Sequence, residues 1–218
     1  MLQRLVTPLH QSTTRDCLAR MVDNKVEAMG VARQYGFDYW DGDRRYGFGG
    51  YRYDGRWRLV AQRLIELYGL GSGSRILDLG CGKAHLLYEL QQLLPAATLK
   101  GCDISRHGLD TAPEAIRPFL FQHDLREPLP FPNGSFDLVI SLGTLHNLRL
   151  FDLKTAVQEM VRLAPSQYLM VESYRNMQEL FNLQCWALTA ESFFDEEEWT
   201  WLLKHFGYGG DHEFIFFE

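Results

Sequence analysis

Four cysteines are spread over 218 residues, and no two of them form a C-x-x-C pair. Cys17, Cys81, Cys102 and Cys185 therefore indicate neither a zinc knuckle nor a disulfide framework. They read as reduced, small core residues. Long apolar runs are missing as well. The longest, Phe136 to Leu142, is interrupted by Asp137 and followed by Gly143, far short of a membrane span. No signal-like apolar stretch opens the chain, so the expectation is a cytoplasmic protein without membrane insertion. Basic excess is lacking too: 22 lysines and arginines face 28 acids, a formal charge of −6, which argues against broad nucleic-acid binding. Repeats, low-complexity tracts and flexible linkers are absent. The acids Asp195–Glu198 are not read as a metal site, because carboxylates in a helix's first turn are accounted for by its dipole and by solvent. What is present is 46% apolar residues, enough for one domain with a buried core.

The most informative segment is Arg75-Ile76-Leu77-Asp78-Leu79-Gly80-Cys81-Gly82-Lys83-Ala84-His85. It reads as a short strand with an acid near its end, a glycine turn, and a helix carrying Leu86, Leu90, Leu93 and Leu94 at helical spacing. Glycines in such a turn let backbone and ligand approach closely. A dinucleotide fingerprint would want a third glycine at 85. His85 stands there, and a histidine would hinder the close helix–strand contact. Asp103 follows Gly82 by twenty-one residues, at the end of the next strand, where a carboxylate can accept ribose hydroxyls. Further on come Phe119–Leu125, Pro128-Leu129-Pro130-Phe131, the turn Asn133-Gly134, and the apolar strand Phe136 to Ile140.

The D-x-G-x-G at Asp78, Gly80 and Gly82, the acid at Asp103, the pair Asp124-Leu125 and the P-F-x-x-x-S-F-D-x-V stretch occur in order across residues 56–174. Together they resemble the class I S-adenosylmethionine-dependent methyltransferases. Ala84 stands where that family often has a further glycine. The resemblance implies a Rossmann-like α/β fold, a mostly parallel central sheet flanked by helices. It also implies S-adenosylmethionine as cofactor and S-adenosylhomocysteine as product. Asp78 would act on the methionine end, with Gly80 and Gly82 passing under the cofactor. Asp103 would hold the ribose, Ile104 would pack on the adenine, and Asp124 and Leu125 would meet its edge. Ser141 is added to the cofactor set. Asp103 also has the plainer role of capping the helix that follows.

Residues 1–55 read as a helical and loop extension, and residues 56–218 as the cofactor-binding core. Between Arg44 and Arg58 stand five arginines, interleaved with Tyr46, Phe48, Tyr51, Tyr53 and Trp57 and broken by Gly47, Gly49 and Gly50. Such a loop is a candidate lid, since guanidinium forks match carboxylate and phosphate. Arg56 is the candidate for the cofactor carboxylate; Arg45, Tyr51, Arg52 and Tyr53 are candidates for an anionic acceptor. The alternative is a solvated loop whose arginines pair with Asp38, Asp41, Asp43 and Asp54. The pattern Tyr39-Trp40-Asp41-Gly42-Asp43 with Gly49–Trp57 is similar to methyltransferases encoded among bacterial surface-polysaccharide genes. That likeness implies a sugar, a nucleotide-sugar or a phosphorylated glycan modifier as acceptor, and O-methylation.

For an oxygen acceptor a base helps. His146, after the fourth strand, is the first candidate, and Glu172, after the fifth, the second. Tyr174 and Arg175 are expected to line the acceptor pocket. A packed, untitrating histidine is the plainer reading of His146. Position 141 is Ser where a catechol-type metal triad would have Asp, and S-L-G-T is not the D/N-P-P-Y/F motif of base-amine enzymes, so no metal is expected. Among the other elements, Trp57 to Tyr68 is an amphipathic helix. Asp152 would cap the next long helix, Met177–Trp186 would form another, and Asp195 with Glu198 makes a capping box. A terminal strand over His212–Phe217 is expected to run antiparallel near the sheet edge. Other readings are a non-catalytic cofactor-binding subunit, a methyltransferase of proteins or nucleic acid, and a nicotinamide-dependent dehydrogenase. The oligomeric state is not encoded legibly.

Overall fold

The computed structural model describes residues 1–218. Six strands form one sheet: β1 Arg75–Leu79, β2 Thr98–Asp103, β3 Leu120–Gln122, β4 Leu138–Leu142, β5 Ser166–Glu172 and β6 Asp211–Ile215. Their order is β3-β2-β1-β4-β5-β6, and every neighbouring pair is parallel. This is the Rossmann-like α/β arrangement. The strand order reverses between β1 and β4, so a crevice opens at their carboxyl ends.

Alternation along the strands decides which helices lie on which face. Leu77, Leu79, Val139, Leu169, Val171 and Phe214 point into one core, against Leu153, Ala156, Val157 and Met160 of α8 Leu150–Leu163 and Trp199 and Leu203 of α10 Glu196–His205. Ile76, Leu138, Ile140, Tyr168 and Ile215 point the other way. They pack on Val60, Ala61 and Leu64 of α5 Arg58–Tyr68 and Leu86, Leu87 and Leu90 of α6 His85–Leu93. Helix α7 spans Arg106–Asp110 and α9 Met177–Trp186. Asp195 and Glu198 do form the capping box of α10.

Three expectations are corrected. The terminal strand runs parallel to β5, not antiparallel. Helices α9 and α10 carry the chain back to the other end of the sheet between β5 and β6, the crossover that a parallel neighbour requires. Asp152 lies inside the first turn of α8, whose N-cap is Arg149. The β4 strand starts at Leu138, because Phe136 and Asp137 donate instead to the carbonyls of Leu163 and Arg75.

Residues 1–55 hold α1 Thr7–Gln11, α2 Cys17–Val22, α3 Lys25–Ala32, α4 Phe37–Trp40 and a short turn at Arg44–Tyr46. They are less an appendage than a strap. Gln3 N–H donates to the His212 carbonyl at 2.8 Å and His212 N–H to the Met1 carbonyl at 3.0 Å, which covers the open edge of β6. Behind that edge, the buried Glu213 carboxylate accepts from the backbone N–H groups of Leu5 (2.8 Å), Val6 (2.9 Å) and Thr7 (2.6 Å). No helix is long and apolar enough to cross a membrane.

Candidate functional site

A cleft of about 1280 Å³ opens over the carboxyl ends of β1, β2, β4 and β5. Its volume exceeds the usual range for one small ligand, roughly 300–1000 Å³, and so suits a nucleoside cofactor together with an acceptor.

One end is built on the glycine turn. Gly80 and Gly82 have φ of +77° and +56°, in the left-handed region. Close packing adds a second demand. A Cβ on Gly80 would stand 2.1 Å from Thr144 Oγ1, and one on Gly82 would stand 2.6 Å from the Trp40 ring. Thr144, and Trp40 from the amino-terminal strap, therefore use the space that the sequence reading gave to a ligand alone. Ala84 is also left-handed, at φ +54°; glycine would relieve about 1 kcal/mol there, but the Ala84 methyl is buried in the core.

Asp103 accepts from Gly82 N–H and Ser105 N–H, both at 2.8 Å, one on each carboxylate oxygen. It thereby holds the turn in place, while burial raises its pKa. Asp78 is 4% exposed, lines the cleft, and makes no hydrogen bond through its carboxylate to the rest of the chain. Burial, then the nearby Asp103, pushes its pKa up to about 7. An almost buried carboxylate with no donor is costly unless a cation or an N–H meets it. The ammonium of a methionine-type cofactor fits that demand. Ile104 is 42% exposed at the cleft wall, as an adenine-facing apolar surface would be. Asp124 and Leu125 also line the cleft. Asp124 is held by the Arg126 side chain, whose Nη2 is 2.5 Å away, and that pairing lowers its pKa. Ser141 does not reach the cleft; its hydroxyl donates to the Leu79 carbonyl at 2.9 Å and ties β4 to β1.

The strap lies over this end. Trp40 Nε1–H donates to Ser105 Oγ at 2.7 Å. Asp41 is shared by Lys83 Nζ at 2.6 Å and His107 Nε2 at 2.8 Å. Tyr51 stacks on His85 with ring centroids 4.8 Å apart, and burial, reinforced by Lys83, pushes the His85 pKa down to about 4. The histidine that replaces the dinucleotide glycine is thus a neutral platform for the loop.

At the other end stand His146 and Glu172, both lining the cleft. Glu172 N–H donates to His146 Nδ1 at 3.3 Å, and His146 Nε2 lies 3.4 Å from Glu172 Oε2. Burial lowers the His146 pKa, with Glu172 opposing. The imidazole is therefore neutral, and its proton sits on Nε2, facing the carboxylate.

The structure redistributes the expected arginines. Arg56 lies in the cleft wall but is paired with Asp54 at 2.5 Å. Arg52 and Tyr51 line the cleft, and Arg52 has no carboxylate partner. Arg45 is turned away, 3.5 Å from Asp23. Tyr53 donates to Glu89 at 2.6 Å in a neighbouring hollow. Arg175 binds Glu179 and Glu218, and neither it nor Tyr174 reaches the cleft. In their place come Arg15, Arg20 and Arg44, brought in by the strap. Nothing in the sequence marked Arg15, just before the N-cap of α2, or Arg20 within that helix as cleft residues.

Residues 76–166 match the methyltransferase domain family. A methyltransferase of Synechocystis sp., described as uncharacterized, is 27% identical over 69% of this chain and 78% of its own length. A mitochondrial arginine-hydroxylase of Rattus norvegicus is 28% identical over 53% of this chain, which spans only 33% of that protein. Among solved structures, a Haloferax volcanii complex of a methyltransferase with the Trm112 methyltransferase activator aligns with a TM-score of 0.55 at 18% identity, covering 89% of this chain and 77% of the other. The matched domain and the class I fold together identify S-adenosylmethionine as the cofactor and support a S-adenosylmethionine-dependent methyltransferase.

Proposed function

We propose that the protein transfers a methyl group from S-adenosylmethionine to an oxygen of a small anionic acceptor. The observation that carries this reading is one cleft with two chemically different ends: the Asp78–Asp103 end suited to the cofactor, and the Glu172–His146 pair facing the remaining space. Asp78 would take the cofactor ammonium and Asp103 the ribose hydroxyls, with Ile104, Asp124 and Leu125 around the base. When bound, S-adenosylmethionine supplies a methyl on a sulfonium sulfur that leaves with the electron pair as S-adenosylhomocysteine. Glu172 would accept the acceptor's hydroxyl proton as its oxygen bonds to the methyl carbon. His146 would orient Glu172 rather than titrate, which reverses the order the sequence suggests. Holding the acceptor in line and excluding water accounts for most of the catalysis.

The amino-terminal pattern favours a sugar, a nucleotide-sugar or a phosphorylated glycan modifier as acceptor, in a cytoplasmic polysaccharide pathway. The test is release of S-adenosylhomocysteine from S-adenosylmethionine with a panel of such compounds. Release that depends on one anionic acceptor supports the reading. Cofactor binding without release for any of them would favour a macromolecular substrate or a non-catalytic subunit. Thermal stabilisation by NAD but not by S-adenosylmethionine would overturn the reading altogether.

A further inference from the structure

Three guanidinium groups converge on one side chain at the acceptor side of the cleft. The Cζ atoms of Arg20, Arg44 and Arg15 lie 3.7, 5.1 and 5.6 Å from the Trp186 ring centroid. None of the three has a carboxylate within ion-pair distance. Backbone carbonyls hold them instead. Arg20 donates to Trp186, Arg44 and Gly47, Arg44 donates to Gly47 and Phe48, and Arg15 donates to His10 and Thr13. Carbonyls fix geometry without cancelling charge, so three positive charges stand together in a chain of net charge −6. Arg15 Nε is buried and has no acceptor. The hydroxyl residues Ser12, Thr13 and Thr14 share the same wall, and Glu172 is near enough to act on the charge of Arg15.

We infer that Arg15, Arg20 and Arg44, gathered on Trp186, form the seat for a phosphoryl group of the acceptor. This rests on the reading of the chain as a methyltransferase with an anionic acceptor. A carboxylate would neutralise one of the three charges, whereas a phosphate monoester carries nearly two and offers three acceptor oxygens to the forks. The like charges press on one another when nothing sits among them. Burial, then Arg44, pushes the Arg20 pKa down to about 10, and burial lowers those of Arg15 and Arg44. An anion in this seat removes that repulsion, and it holds the acceptor beside Glu172.

The test is calorimetric titration of the full chain with inorganic pyrophosphate at low salt. Saturable one-site binding is expected. Arg44→Gln and Arg15→Gln, checked for native circular dichroism, should each weaken it at least tenfold. Arg75→Gln, at an exposed ion pair with Asp137 far from the cleft, should leave it unchanged. No saturable binding, or variants that bind like wild type, would overturn the seat. Malonate binding as tightly as pyrophosphate would overturn the phosphoryl assignment. Affinity for S-adenosylmethionine is measured in parallel. Its absence would sink the methyltransferase reading, while the anion result would stand or fall separately.

Discussion

His146 and Glu172 meet at two points. The backbone N–H of Glu172 reaches His146 Nδ1 at 3.3 Å, and His146 Nε2 faces the Glu172 carboxylate at 3.4 Å. With Nδ1 accepting, the neutral ring has no free lone pair for an acceptor proton. The role we propose for it is therefore to place the carboxylate. Trp199 Nε1–H donates to the Glu172 carbonyl at 3.1 Å and fixes the same residue from the core side.

If Glu172 is the base, Glu172→Gln should lower kcat by about a hundredfold or more with little change in S-adenosylmethionine affinity. His146→Gln should cost less, and should leave the acidic limb of the pH–rate profile in place. Single-turnover kinetics across pH separate the two. Equal losses in both variants, with the acidic limb moved only by the histidine change, would return the base role to His146.

Asp78 carries a stability signature. Its folded-state pKa, about 7, is above its ordinary value of 3.8. Between those values the folded protein holds the proton more tightly than the unfolded chain, so raising the pH through this window costs stability, up to about 4 kcal/mol. Asp78→Asn should therefore raise the Tm of the ligand-free protein at pH 8 and weaken S-adenosylmethionine binding. In wild type, binding should tighten as pH rises toward 7, because the cofactor ammonium prefers the ionised carboxylate. Calorimetry at pH 5.5 and 8 checks both; a pH-independent affinity would remove Asp78 from the ammonium.

Gly82→Ala should fold but strain the strap. The new methyl would meet the Trp40 ring at 2.6 Å, and the residue would sit at φ +56°. The sum of backbone strain and displaced packing is about 2–3 kcal/mol. Tryptophan fluorescence should shift to the red as Trp40 leaves Ser105. An unshifted spectrum with unchanged stability would mean that Trp40 yields at no cost.

Glu213→Gln should loosen the amino-terminal segment. The amide nitrogen would face the N–H groups that the carboxylate now accepts from Leu5, Val6 and Thr7. The loss should be about 2–3 kcal/mol, a fall in Tm of roughly 5–10 °C for a chain of this size. Hydrogen exchange should accelerate in residues 5–10 first.

The sequence by itself determined the sheet up to its last strand and the residues at one end of the cleft. The places of Asp78, Gly80, Gly82 and Asp103 are legible because they depend on local geometry: a strand end, a left-handed turn, and a second strand end at crossover spacing. The helices Arg58–Tyr68 and Met177–Trp186 were legible for the same reason, since periodicity and caps act within a few residues. Tertiary structure alone decided the direction of β6, because either direction buries the same alternating face and only the two-helix crossover selects between them. It also decided which arginines face the cleft. Arg45 pairs with Asp23 and Arg175 with Glu179 and Glu218, and both turn away. Arg15, Arg20 and Arg44 meet on Trp186, about 140 to 170 residues along the chain, because the strap is pinned to Glu213, to Ser105 and, through Asp41, to Lys83 and His107. Charge pairing over such separations follows from packing and leaves no periodic trace in sequence.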